Sequence, residues 1–216
     1  MEPKKGFTLI EIMVAMLIFG FMITALASIY GTVNRNMLQN YRQNVLKTNT
    51  ALAMRAVQKN LLEATRIDSP AFGVSGADLA FAVNIDQLTG CYPINPAVPV
   101  SVHHFYLIGS QLFYCPGTAT GGGTGCANFP PTIGGPSYAC SGAPVLLLDN
   151  IPVPPPVPVF SRRASEGVNE RDTVAVNLNI FWNAAAAGLP QRNVAHSLQT
   201  VVRINRPVAF NQPSLP

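Results

Sequence analysis

The residues that could do chemistry cluster at the start of the chain, in Lys4-Lys5-Gly6-Phe7-Thr8-Leu9-Ile10-Glu11. A basic hexapeptide ends in glycine, and an apolar run follows at once. From Phe7 to Tyr30 there are 24 residues, and Glu11 is the only charged one. A carboxylate at the centre of a membrane-spanning helix costs on the order of 3 kcal/mol. Glu11 stands close to Phe7, nearer the interface, where the cost is lower. Two readings are open. Glu11 is a snorkelling residue, or it waits for a buried cation, since ionisable groups inside a membrane are functional by default. Charge neutralisation in a dry environment is the chemistry that the second reading requires.

Elsewhere the reactive residue types are sparse. Cys91, Cys115, Cys126 and Cys140 are even in number and all follow the apolar run. Two disulfides in an oxidising compartment are expected, and three connectivities are open. There is no C-x-x-C, and no histidine stands at zinc-ligand spacing, so no metal is expected. His103 and His104 are adjacent in an expected strand and point to opposite faces, so they cannot share a ligand. His196 stands alone. No G-x-S-x-G, H-E-x-x-H or G-K-[ST] motif occurs. Gly121-Gly122-Gly123-Thr124-Gly125 lacks the lysine and helix of a phosphate loop. No catalytic residue, cofactor or enzyme activity is expected.

The elements that must position Glu11 are helical. A helix from Phe7 to Tyr30 covers roughly 36 Å, enough to cross a bilayer core. Lys4 and Lys5 precede it, so the start should stay cytoplasmic and the remainder face outward. No proline occurs from Phe7 through Ile67. Val33, Met37, Tyr41 and Val45 repeat at i+4, and Leu38, Leu46, Leu52, Val57, Leu61 and Leu62 broaden the stripe. One helix is therefore expected from Phe7 to Arg66, stopping near Asp68-Ser69-Pro70. Gly20 and Gly31 interrupt it. Each lowers helix propensity by about 1 kcal/mol, or lets the helix stretch when packed.

Charge separates the same regions. Charged residues make up 11% of the chain, which is low for a soluble enzyme. Arg35, Arg42, Lys47, Arg55, Lys59 and Arg66 face only Glu63 within residues 32–66, whereas residues 67–216 are slightly acidic. The basic balance belongs to the helix, and a nucleic-acid surface on the C-terminal part gets no support.

Gly-Phe-Thr-Leu-Ile-Glu, after a short basic leader and before an apolar helix, resembles the class III signal of type IV pilins and type II secretion pseudopilins. The resemblance implies a cut between Gly6 and Phe7 by a membrane peptidase that also methylates the new amino terminus. It implies that Glu11 pairs with the terminal amine of a neighbouring subunit during filament assembly. Many major pilins are similar at Gly20 but carry a proline eight residues later, where this chain has Ser28. A rival reading takes Ala25-Leu26-Ala27-Ser28 as an ordinary export cleavage site that releases a soluble domain.

From residue 71 glycine and proline become common and apolar runs short. Leu79–Ile85 alternates weakly. Val102–Ile108 and Gln111–Cys115 read as a hairpin across Gly109-Ser110. Pro116–Ser141 reads as a long loop. Val145–Leu148 is a short buried strand, and Ile151–Phe160 an extended polyproline connector. Ser161–Asp172 is a solvated loop. Thr173–Trp182 is the clearest strand, and Ser197–Asn205 the last. The expected fold is α+β, a long N-terminal helix packed on a C-terminal antiparallel β-sheet head with long loops, as in pilins. The expected parts are a leader (1–6), a transmembrane or filament-core helix (7–31), an amphipathic helix (32–67) and a periplasmic or extracellular head (68–216).

The run from Ala53 to Arg66, the FYLIGSQLFYC hairpin and the closing TVVRIN strand are loosely similar to PilW-type minor pilins and J-type pseudopilins. The expected function is a structural subunit of a type IV pilus-like filament, a minor pilin in initiation or assembly near the tip. Glu11 argues against the extreme tip, where no neighbour lies above. The alternatives are a J-type pseudopilin in a periplasmic pseudopilus, and an exported or anchored binding domain. The implied partners are other pilin subunits, prepilin peptidase, an inner-membrane assembly platform, a tip adhesin, and the bilayer before assembly.

Overall fold

The computed structural model describes residue 6 and residues 8–85, 94–95, 97–118, 140, 142–163, 173–183 and 194–204. The chain forms two compact units, residues 1–44 and 45–216. One helix, α1 (Leu9–Leu62), runs through both. In the first unit every α1 residue from Leu9 to Tyr30 is exposed. Gly20 and Gly31 lie within regular helix, with no side chain or backbone near enough to meet a Cβ. The hydroxyl of Thr24 donates to the Phe21 and Gly20 carbonyls at 2.9 and 3.2 Å, so it is satisfied without leaving the helix.

The second unit is α+β, as expected. Among the described residues it holds the end of α1 and nine antiparallel strands. These are β1 (Arg66–Ser69), β2 (Ser75–Gly76), β3 (Asp78–Val83), β4 (Ser101–Ile108), β5 (Gln111–Thr118), β6 (Val145–Leu148), β7 (Phe160–Arg162), β8 (Thr173–Phe181) and β9 (Ala195–Arg203). They form two sheets rather than the single one expected, ordered β1-β3-β4-β5-β6 and β2-β7-β8-β9. The helix buries Leu46, Thr50, Ala53, Met54, Val57 and Leu61, a stripe spaced by three and four residues. Against it lie Phe81, Phe105 and Leu112 of the larger sheet and Phe160, Val176 and Ile180 of the smaller, in one core.

Local sequence explains most of these elements. The β4–β5 hairpin closes on the Ile108–Gln111 pair, and Gly109 takes the left-handed φ of +57° that a two-residue loop needs. β8 alternates, with Val174, Val176, Leu178 and Ile180 buried. β3 lies buried on both faces, so its period is weak: Leu79 and Phe81 face the main core, while Ala80 and Ala82 join Val102 in a smaller cluster.

Five expectations are corrected. First, α1 stops at Leu62 and does not reach Arg66. The Glu63 and Ala64 amides close tight turns onto the Asn60 and Leu61 carbonyls, and the Thr65 amide then donates to Ala82 at 2.9 Å. Pairing with β3 thus ends the helix before Pro70 can act. Second, Leu52 and Leu62, in the half of the stripe expected to pack on the C-terminal part, are exposed. Third, β6 is a sheet edge, and Val145 and Leu146 are exposed although Leu148 is buried. Fourth, Ser161–Asp172 does not begin as a solvated loop. Ser161 and Arg162 lie in β7, and Arg162 is buried. Fifth, Ile151–Phe160 bends at residues 153–154, 156–157 and 159, and so is not extended throughout. Its ends are pinned, the Ile151 amide donating to Ser110 and the Asn177 amide to Val159. Most of the loop expected at Pro116–Ser141 lies outside the described residues.

Candidate functional site

The first turn of α1 carries the candidate site. Thr8 stands at the N-cap and Glu11 three residues on, the reciprocal arrangement of a capping box. The Thr8 amide donates to Glu11 Oε2 at 2.9 Å, and the Thr8 hydroxyl donates to the same oxygen at 3.1 Å. In return the Glu11 amide approaches Thr8 Oγ1 at 3.4 Å. The Thr8 carbonyl accepts from the Glu11 and Ile12 amides at 3.1 and 3.4 Å, which starts the helix ladder. Helix N-termini leave four amides without intrahelical partners and carry partial positive charge, so a carboxylate is favoured here. Both bonds to the carboxylate use Oε2. Oε1 makes none of them and is oriented by its partner oxygen.

Sequence reading missed Thr8. The signal was present as Thr8-Leu9-Ile10-Glu11, the T-x-x-E spacing of a capping box ahead of an apolar run. Reading Glu11 only against a neighbouring chain hid its partner within its own turn. Of the processing residues, Gly6 is exposed, and Phe7 lies outside the described residues. Gly20 and Gly31 are far along the same helix and take no part in the cap.

The cysteines belong to the other unit. Cys115, buried on β5, is bonded to Cys140 across 25 residues of sequence. Cys91 and Cys126 lie outside the described residues. His103 and His104 point to opposite faces, as expected. His103 Nδ1 lies 2.8 Å from the Tyr114 hydroxyl, and its ring stacks on Phe81. Burial holds its pKa below the usual histidine value, although the charge of Glu63 opposes this. The same burial, then Glu63, raises the Tyr114 pKa. His104 lies 3.7 Å from Asp78 on the other face. Among the described residues no cluster could hold a metal ion.

A buried polar group was also missed. Arg66, counted with the helix by its sequence position, sits in β1, with Nε 2.8 Å from Asp68 Oδ1. Arg162 donates to the Ile67 carbonyl at 2.9 Å and lies over the Phe72 ring. Burial pushes the Asp68 carboxyl up to about 6, against the opposing pull of Arg66 and Arg162. This group ties β1 to β7 and so joins the two sheets; it has the character of a structural pin.

Comparison with known proteins bears on the N-terminus. Residues 1–27 match the family model described as the prokaryotic N-terminal methylation motif. That motif, the class III signal, supports the type IV pilin and pseudopilin family, whose members are structural subunits. The long helix packed at its end on antiparallel sheets has the same pilin-like architecture. No curated protein and no solved structure matches the chain. The motif implies processing by prepilin peptidase and assembly with other pilin subunits. α1 is long and apolar enough to cross a membrane, which fits a membrane-anchored pilin.

Proposed function

We propose that this chain is a structural subunit of a type IV pilus-like filament, a minor pilin that acts in initiation and assembly near the tip. One observation carries the reading. A methylation-type signal runs directly into a capped helix whose side chains from Leu9 to Tyr30 are all exposed. Such a surface is stable in lipid or against other helices, and costly in water at about 25 cal/mol per Å². Peptidase cuts between Gly6 and Phe7 and methylates Phe7. The helix holds the subunit in the inner membrane, with its start cytoplasmic and residues 68–216 periplasmic. Glu11 pairs with the amine of an adjacent Phe7, and the helix passes from lipid into a core of sister helices. The work comes from the assembly platform.

The minor-pilin assignment rests on the hairpin and closing strand, both of which are formed as β4–β5 and β9. The third part of that similarity is weaker, because Ala64 and Arg66 lie beyond the helix. Mass spectrometry of the mature chain tests the proposal. The expected N-terminus is N-methylated Phe7. A chain beginning at Ser28, recovered free of membranes and filaments, would overturn it. Recovery in sheared surface filaments is the outcome expected of a pilus rather than a pseudopilus.

A further inference from the structure

Apart from the N-terminal site, the second unit holds a cavity of about 210 Å³ where the core opens between α1, the end of β6 and the end of β8. Its floor is aliphatic: Leu46, Leu148 and Ile180 are all buried. Its wall is Trp182, the single tryptophan of the chain, 37% exposed. Its rim is polar, with Asn49 from the helix and Asp149 and Asn150 after β6.

The rim is built rather than loose. Asn150 has a left-handed φ of +62° and accepts the Phe181 amide at 3.0 Å through its carbonyl. Its side chain donates to Asp149 Oδ1 at 3.0 Å, which orients the carboxylate. The Trp182 amide donates to the Val194 carbonyl at 2.8 Å, fixing the indole-bearing residue to the start of β9. Asp149 and Asn150 are thus held, and the Trp182 main chain is placed, before any ligand arrives, which lowers the ordering cost of binding.

The geometry points to a binding site for one pyranose ring, the terminal residue of a surface glycan. Three features select that chemistry. A sugar ring has an apolar face of C–H bonds that packs on an indole, and an edge of hydroxyls that need acceptors and donors. Asp149 supplies acceptors, and Asn49 and Asn150 supply amides of both kinds. The volume lies below the ~300–1,000 Å³ of sites for drug-sized ligands, so one ring fits and a chain of rings does not. Asn49 and Asp149 are exposed at the mouth, which leaves one side of the ring open for a glycosidic link. A cation would satisfy Asp149 but leave the indole wall unused, and an aliphatic ligand would strand the amides.

The emission of Trp182 is the readout, because no other tryptophan contributes. The mature full-length protein in detergent is titrated with the methyl glycosides of glucose, galactose, mannose and N-acetylglucosamine, and with each free sugar. The expected result is a saturable emission change with at least one methyl glycoside. Asn49→Ala and Asp149→Asn, both at exposed positions, should each weaken the apparent affinity about tenfold or more, as loss of a charged or polar contact to ligand would. Circular dichroism checks that both variants remain folded. Strictly linear responses to all glycosides, or saturation unaltered in both folded variants, would overturn the site. A response to free sugars alone would overturn the glycan assignment. None of these outcomes depends on whether the chain enters a filament.

Discussion

The buried pair Arg66–Asp68 gives the head a pH dependence of unusual sign. A carboxylate in an ion pair ordinarily has a depressed pKa, and its stabilisation is lost in acid. Asp68 is the reverse case: its side chain is 3% exposed, and burial outweighs the two arginines, leaving a pKa of about 6 against an unfolded value of 3.8. Between those values the folded state binds more protons than the unfolded one, so stability falls as pH rises. Below pH 3.8 the group is neutral in both states and contributes nothing. Above about 6 the loss is complete. The gap of roughly two units at about 1.4 kcal/mol each sets a ceiling of about 3 kcal/mol. His103 acts in the opposite sense. Its lowered pKa lets the unfolded chain take a proton first, and stability falls as pH drops below 6.5. The two slopes overlap in one wild-type curve, so a variant must separate them. Asp68→Asn keeps the shape and removes only the carboxylate titration. Urea unfolding of the mature protein in detergent, followed by Trp182 emission from pH 4 to 7, gives both curves. The wild type should lose up to about 3 kcal/mol relative to the variant across that range. Parallel curves would refute the burial argument. An opposite slope would show that the arginines win.

Three further outcomes are expected. Glu11→Ala should leave cleavage after Gly6 intact but reduce recovery in sheared filaments; undiminished recovery counts against the pairing. Thr8→Ala should destabilise the first turn by about 1 kcal/mol and reduce incorporation less than Glu11→Ala does, measured on the same filament preparations. Cys115→Ser with Cys140→Ser removes a closure across 25 residues and should lower head stability by about 3 kcal/mol, measured by urea unfolding against the wild type.

What was legible in the sequence was what depends on near neighbours. The alternation of Val174 to Ile180 specified a half-buried strand, and Gly109 specified a tight turn; both are present. The helix end was not legible. Nothing between Leu62 and Ile67 breaks a helix locally, and the stop comes from Thr65 and Arg66 pairing with Ala82, seventeen and sixteen residues away. The split into two sheets was hidden for a similar reason. β7 has three residues and begins at the end of a proline-rich segment, so its pairing with β8 dominates any propensity of its own. The charged neighbours of Arg162 in sequence suggest a solvated side chain, yet its guanidinium has backbone carbonyls to hold and Phe72 to cover it. At the candidate site Glu11 was legible as an anomaly, while its cap required only reading Thr8 with it.

That cap changes the energetics of assembly. A carboxylate entering an apolar medium without donors faces a penalty large enough to favour its protonated form. Glu11 instead carries two donors of its own, the Thr8 amide and hydroxyl, both on Oε2. The remaining oxygen can then meet an ammonium without breaking either bond, so capping and pairing need not compete. A glutamine at position 11 could still accept the same two bonds through its carbonyl oxygen, but it would have no charge to offer a neighbour. Glu11→Gln therefore separates the two roles that Glu11→Ala removes together. Helix formation should be nearly preserved, while incorporation falls below that of Thr8→Ala, which keeps the carboxylate. If the glutamine variant assembled like wild type, the carboxylate would matter only as a cap, and the proposed pairing across subunits would fail.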